Sequence, residues 1–178
     1  MIAQNGFVDE AFEIFKQTQL EGVKPVSTSF ASILSACAKM GELERGMEIH
    51  HSIVKSGLLF NVVESALVDM YAKCKSIYDA SEVFDEMQQR DDVSWNAMIA
   101  GYAQIGFVEK ALETSKQIQS AGVKPDSSTF VIIIQICATM GALEHGINIH
   151  QRIVKSNFFS DVVASALVDM DAKCGSMH

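Results

Sequence analysis

The sequence predicts an all-α fold, an α-solenoid of stacked helix-turn-helix repeats, and three observations predict it. Residues 1–78 align with 101–178 without a gap, and 42 of those 78 pairs are identical. SALVDM at Ser65–Met70 recurs at Ser165–Met170, IVKS at Ile53–Ser56 recurs at Ile153–Ser156, and GVKP at Gly22–Pro25 recurs at Gly122–Pro125. Self-similarity of this kind marks a repeat architecture. Apolar residues then recur at spacings of three and four, the period of a helix face, and no strand-like alternation interrupts them. Finally, glycines stand singly between these stripes, where helices end.

Within the 100-residue period lie three related units. A partial standard unit occupies 1–26. A long unit of 34 residues follows at Ser27–Phe60, and a short unit of 31 at Asn61–Asp91. The complete standard unit, 35 residues, is Asp92–Asp126. A second long unit spans Ser127–Ser160, and a partial short unit spans 161–178.

In the standard unit Trp95, Met98, Ile99, Tyr102 and Ala103 make a first helical stripe, which Gly106 ends. Val108, Ala111, Leu112, Ser115 and Ile118 make a second. Gly122 and Pro125 stop it, because proline neither donates to a helix nor continues one. The second long unit follows suit with Phe130, Ile133, Ile134, Cys137 and Met140, then Gly141. Its second helix is read from Leu143, Ile147, His150 and Val154. Such short helix pairs bury their apolar faces only by stacking on their neighbours. The chain is therefore expected to form one array rather than two domains.

The units carry a family resemblance. SWNAMIAGYAQIGFVEKAL with GVKPD, ILSACAKMGELERGMEIHHSIVKSG, and SALVDMYAKC with ASEVFDEMQQRD resemble the standard, long and short units of pentatricopeptide repeat proteins, specifically the plant subclass that alternates the three. The resemblance covers essentially the whole chain. It implies binding of single-stranded RNA, one base per repeat, read by two or three side chains. The fifth residue of a unit and its last form the reading pair in this family. Asn96 and Asp126 hold those places in the standard unit, a pairing that favours uracil. Ser65 and Asp91 hold them in the complete short unit, a pairing that leans towards guanine. Ser165 is a reader whose partner lies beyond residue 178. Val62 and Val93 match the residue that packs on the base face. Lys39, Lys73 and Lys173 match a backbone-contacting position late in the first helix, where Gln104 replaces lysine in the standard unit. The long units place Ala31 and Val131 at the reading position, and neither forms a side-chain hydrogen bond. The first unit ends in Val26 where Asp126 stands in its copy.

The resemblance further implies an RNA-processing or C-to-U RNA-editing specificity factor of the mitochondrion or chloroplast, with RNA-editing or processing proteins as further partners. The alternative reading is a helical scaffold for protein–protein interaction, motivated by the acidic balance and by Ala31 and Val131. Fourteen Lys and Arg against 22 Asp and Glu leave a net charge of −8, whereas phosphate-dominated binding favours a basic face. Glu42, Glu44, Glu82, Glu109 and Glu113 fall in second-helix segments, which would leave the first-helix side nearer neutral.

Other chemistries find no support. Glycines do not cluster into a phosphate loop, and neither a nucleophile elbow nor a deaminase-type zinc motif is present; no enzyme activity, cofactor or small-molecule substrate is expected. Cys37 and His50 recur as Cys137 and His150, with Cys74 and Cys174 nearby, but no two cysteines lie within four residues as zinc ligands usually do. Cys37 and Cys137 sit on the apolar stripe, where a thiol packs as a small hydrophobe. Four cysteines at repeat positions argue against a disulfide framework and for a reducing compartment. No apolar run approaches a membrane span.

Three departures between the copies stand out. Lys75 occupies the helix-ending place of Gly175, at an expected cost of about 1 kcal/mol if φ is positive. Asp171 replaces Tyr71 on an otherwise buried face, costly unless solvated. Asn157 replaces Gly57, benignly because asparagine tolerates the left-handed region. Met1 aligns with Gly101 inside a first helix and His178 falls inside a turn, so a segment of a longer array is expected.

Overall fold

A computed structural model describes residues 12–17, 26–59, 62–123, 126–140, 143–156 and 160–175. All secondary structure among them is helical. Residues 12–17 form a short helical segment. Nine longer helices follow among the described residues: α1 Ser27–Met40, α2 Leu43–Ser56, α3 Val62–Lys73, α4 Ile77–Glu86, α5 Asp92–Gln104, α6 Val108–Ser120, α7 Ser127–Met140, α8 Leu143–Ser156 and α9 Asp161–Gly175. Each complete repeat thus supplies two helices, the pairing of an α-solenoid. The chain divides into two compact units, Met1–Met98 and Ile99–His178, with the division inside α5. The expected stops at Gly141 and Pro125, and Asn157, lie outside the described residues.

In the first unit the first helices α1 and α3 pack on each other, α2 packs on α1, and α4 on α3. Phe30, Leu34, Cys37, Leu67, Val68 and Met70 are fully buried between them. In the second unit α7 plays the part of α1: it packs on α9, and α8 packs on it. Phe130, Ile133, Ile134 and Cys137 are buried there, as their spacing predicts. The second helix of the long unit corrects the expectation. Gly146, Ile149 and Ile153 turn inward, while Ile147, His150 and Val154 are exposed. Glycine decides this face. A Cβ at Gly146 would sit 2.6 Å from Met170 Sδ, so the helix and Met170 meet where the side chain is missing. The periodicity of α8 allowed either stripe; the fit of Met170 selects one.

Glycines end several helices, while the stop after α3 is Lys75 and that after α4 is Met87. Gly106 takes φ 83° after α5, and the N–H of Phe107 reaches back to the carbonyl of Tyr102 at 2.8 Å. Lys75 takes φ 63° at the same place after α3, with the N–H of Ser76 on the carbonyl of Tyr71 at 2.9 Å. Lysine is strained there and glycine is not. Lys75→Gly is therefore expected to stabilise the fold by about 0.5–1 kcal/mol and raise the melting temperature by about 2 °C, read by circular dichroism. No change would mean that the unfolded-chain entropy of glycine offsets the strain.

Two contacts tie the units internally. Arg90 donates from Nε to the carbonyl of Phe84 at 2.8 Å and from Nη2 to that of Asp85 at 3.0 Å, which satisfies the open end of α4. His50 Nδ1 and Tyr71 Oη lie 2.8 Å apart, with the rings edge-to-face at 5.7 Å. Burial pushes the Tyr71 phenol up to about 12 and holds the His50 imidazole below its ordinary value. The second copy has Asp171 in place of Tyr71, and Asp171 is exposed there, so solvent removes the cost that a buried carboxylate would carry. Val168 is 70% exposed whereas its copy Val68 is buried.

Candidate nucleic-acid interface

The last residue of a unit lies at the start of the next first helix, and side-chain oxygens there satisfy orphan N–H groups. Asp91 precedes α5, and its Oδ1 accepts the N–H of Ser94 at 2.8 Å. Asp126 precedes α7, and its Oδ1 accepts the N–H of Thr129 at 2.8 Å. Ser160 precedes α9, with Oγ 3.3 Å from the N–H of Val163. Val26 precedes α1 and makes no side-chain cap.

At Asp91 this cap is also one half of a predicted reading pair. Ser65, the fifth residue of the same unit, donates from Oγ to Asp91 Oδ2 at 2.8 Å, although 26 residues separate them. Ser65 is only 4% exposed. The structure thus brings this pair into one polar site. Val62, one helical turn earlier on α3, is 60% exposed, and Val93 at the corresponding place on α5 is 49% exposed. Both valines leave apolar surface open to solvent beside a reading position.

The other predicted readers behave differently. Asn96 is half-buried on α5 in the first compact unit, and Asp126 lies in the second. Ser165 is exposed and donates to the carbonyl of Asp161 at 2.8 Å, a bond within its own helix. Ala31 and Val131 are half-buried.

Lys39, Lys73 and Lys173 are all exposed. In the short units the lysine is already paired: Lys73 Nζ lies 2.7 Å from Asp69, and Lys173 Nζ 2.7 Å from Asp169. A phosphate would have to compete with that carboxylate, and an exposed pair of this kind is held by less than about 1 kcal/mol. Sequence reading missed Asp69 and Asp169, although the four-residue spacing of Asp and Lys signals such a pair. Lys39 has Ser35 at that spacing instead. In the second unit a groove of about 260 Å³ runs between α5 and α7, lined by Ala100, Ala103, Gln104, Ile132, Gln135 and Thr139. Gln104 and Thr139 stand there where Lys73 and Lys39 stand elsewhere, so this stretch carries amide and hydroxyl groups in place of cations.

Glu44, Glu82, Glu109 and Glu113 are exposed on the second helices, and Glu42, half-buried, precedes α2. No group of three or more His, Cys, Asp or Glu among the described residues is placed to hold a metal ion. Cys37 is buried, and burial pushes its thiol up to about 11, the behaviour of a core residue. No helix among the described residues is long and apolar enough to cross a membrane.

Repeat-family models match along the chain: the PPR repeat at residues 2–23, 28–58 and 65–91, and the PPR repeat family at 90–139. The chain belongs to the pentatricopeptide repeat family. A chloroplastic pentatricopeptide repeat-containing protein of Arabidopsis thaliana is 44% identical over 176 residues, 98% of this chain and 22% of the relative. A putative mitochondrial one from the same plant is 38% identical over 176 residues, 98% of this chain and 29% of the relative. The chain therefore spans about a quarter of the length of the curated pentatricopeptide repeat proteins it matches.

Solved structures agree on the fold. The pentatricopeptide repeat protein PPR10 from maize superposes with a TM-score of 0.73 at 23% identity, covering 92% of this chain and 24% of PPR10. PPR10 in complex with an 18-nt psaJ RNA element gives 0.75 at 24% identity, covering 88% of this chain and 24% of that one. The PPR domain of Arabidopsis thaliana protein-only RNase P 1, in complex with tRNA, gives 0.70 at 14% identity, covering 97% of this chain and 94% of that domain.

Proposed function

We propose that this chain binds single-stranded RNA sequence-specifically, one base per repeat, as part of an organellar RNA-processing or C-to-U RNA-editing specificity factor. The observation that carries the reading is the Ser65–Asp91 hydrogen bond of 2.8 Å, one helical turn along α3 from the exposed Val62. A base seated there would meet an apolar face and a preset polar pair, which is what reading a splayed base requires. The reading pair Ser65–Asp91 then faces guanine, and Asn96–Asp126 faces uracil in the next unit. With repeats running parallel to RNA 5′ to 3′, the chain prefers GU. It belongs to the subclass alternating standard, long and short units, a pattern supported by the recurrence of 35-, 34- and 31-residue units. Its units run as one array with the boundaries given above, and it acts by binding rather than catalysis. The chloroplastic and mitochondrial relatives, and the RNA-bound solved structures of the same fold, support this reading.

The test is a titration of the folded chain with short single-stranded RNAs carrying GU, GC or AU at the centre, at low and stated salt, alongside Asn96→Ala. Preference for GU should be lost between U and C in the variant. Salt-sensitive binding with no preference would sink base reading and leave a backbone binder. A second reading, the protein scaffold, is favoured by the exposed apolar pairs Met47 with Val54 and Ile147 with Val154, which recur on the second helices of both long units. Complete failure of a folded sample to bind any of the RNAs would favour it.

A further inference from the structure

At two junctions, Ser94 and Thr129, the third residue of a unit is hidden from solvent and hydrogen-bonds the aspartate that ends the unit before it. Thr129 is 0% exposed on the first turn of α7. Its N–H donates to Asp126 Oδ1 at 2.8 Å and its Oγ1 donates to the same oxygen at 2.9 Å. The N–H of Asp126 donates back to Thr129 Oγ1 at 3.2 Å. The backbone bond alone would complete a helix cap. The hydroxyl adds a second donor on one carboxylate oxygen, and two converging donors fix both side-chain torsions of Asp126.

The first compact unit shows where the second oxygen goes when a backbone donor holds the first. There Oδ1 of Asp91 is taken by the N–H of Ser94, and Oδ2 is turned to Ser65 at the fifth position. Ser94, likewise 0% exposed, anchors the main chain of the same residue by donating from Oγ to the carbonyl of Asp91 at 2.9 Å. One carboxylate oxygen belongs to the following helix and the other to the base-reading residue. The pattern is confined to aspartates. Ser29 stands third after Val26, which has no carboxylate to hold, and Val163 stands third after Ser160.

We propose that Thr129 is a positioning residue for base recognition: its buried hydroxyl sets the rotamer of Asp126, so the base choice of one repeat depends on a side chain contributed by the next. This rests on the RNA-reading function proposed above. The consequence is that the carboxylate of Asp126 is set from behind by Thr129, which is itself buried away from solvent.

The experiment compares Thr129→Val, which keeps the shape and the N–H but loses the hydroxyl, with Thr129→Ser, which keeps the hydroxyl. Each variant of the 178-residue chain, with helicity confirmed, is titrated against RNAs differing only in uracil or cytosine after the guanine. The readout is the ratio of the two dissociation constants, which a general loss of stability leaves unmoved in a folded sample. Thr129→Val should lower that ratio about fivefold, the worth of about one net hydrogen bond, and Thr129→Ser should restore it. Thr129→Ala repeats the test should valine against Asp126 Oδ1 prevent folding. A ratio unchanged in Thr129→Val but lost in Asn96→Ala would leave base reading standing and overturn the inference. Loss in both the valine and serine variants would assign the effect to packing and overturn it too. No preference in the unaltered chain would overturn the reading itself and the inference with it.

Discussion

Tyr71→Asp is expected to destabilise the first compact unit by about 4 kcal/mol, although the protein's own second copy carries aspartate at the same place. Tyr71 is 4% exposed, and its phenol and His50 Nδ1 are 2.8 Å apart. Removing a buried aromatic ring alone costs about 3–5 kcal/mol. A carboxylate taken out of water at this buried place adds a desolvation cost. Asp79, Glu82 and Glu86 already act electrostatically on that histidine and on the same neighbourhood, so another negative charge is unwelcome. The loss is a large share of a typical domain's 5–15 kcal/mol. Because repeat arrays divide into neighbouring cooperative blocks, it should be read locally, as faster amide exchange across α2, α3 and α4, as well as in the urea midpoint. Asp171→Tyr should change stability by less than about 0.5 kcal/mol, since residue 171 is exposed. A Tyr71→Asp protein with a wild-type urea midpoint would show that the His50–Tyr71 contact contributes nothing.

That asymmetry explains what the sequence could and could not reveal. The helix pairs were legible because Phe130, Ile133, Ile134 and Cys137 obey a helical period and because Gly106 and Gly122 mark the stops. Lys75 was legible by comparison with Gly175, and its φ of 63° bears that reading out. The inward face of α8 was not legible. Ile147 and Val154 are as apolar as Ile149 and Ile153, and only the close approach of Met170 to Gly146 chooses between the two stripes. The Ser65–Asp91 contact was legible through resemblance to a family, because no local periodicity links residues 26 apart. The ion pairs of Lys73 and Lys173 needed no fold at all, only the Asp–Lys spacing. Ser94 and Thr129 were hidden for another reason. A hydroxyl three residues after aspartate reads as ordinary capping, and only the structure puts that of Ser94 on the carbonyl of Asp91 and that of Thr129 on the carboxylate of Asp126.

Under the proposed RNA reading, folding and recognition meet at Asp91, and two substitutions are expected to separate them. Asp91→Ala removes the cap on α5, worth about 1 kcal/mol. It also strips the carboxylate acceptor from the hydroxyl of Ser65, a buried polar group for which a lost partner costs about 1–3 kcal/mol. The combined loss should be about 2–3 kcal/mol, with guanine preference at the short unit abolished. Asp91→Asn acts on one function only. Asparagine caps helices as well as aspartate does, so Oδ1 keeps the N–H of Ser94. Its amide nitrogen replaces Oδ2 and must donate, so the hydroxyl of Ser65 becomes the acceptor in a bond of reversed polarity. Stability should stay within about 0.5 kcal/mol of wild type, while the donor and acceptor pattern offered to a base is inverted. The preferred base opposite the short unit should therefore change without any change in melting. A variant that melts as wild type and still prefers guanine would remove Asp91 from recognition and leave it a helix cap. Equal destabilisation by asparagine and alanine would instead show that the negative charge at the α5 N-terminus, rather than the hydrogen bonds, holds this junction.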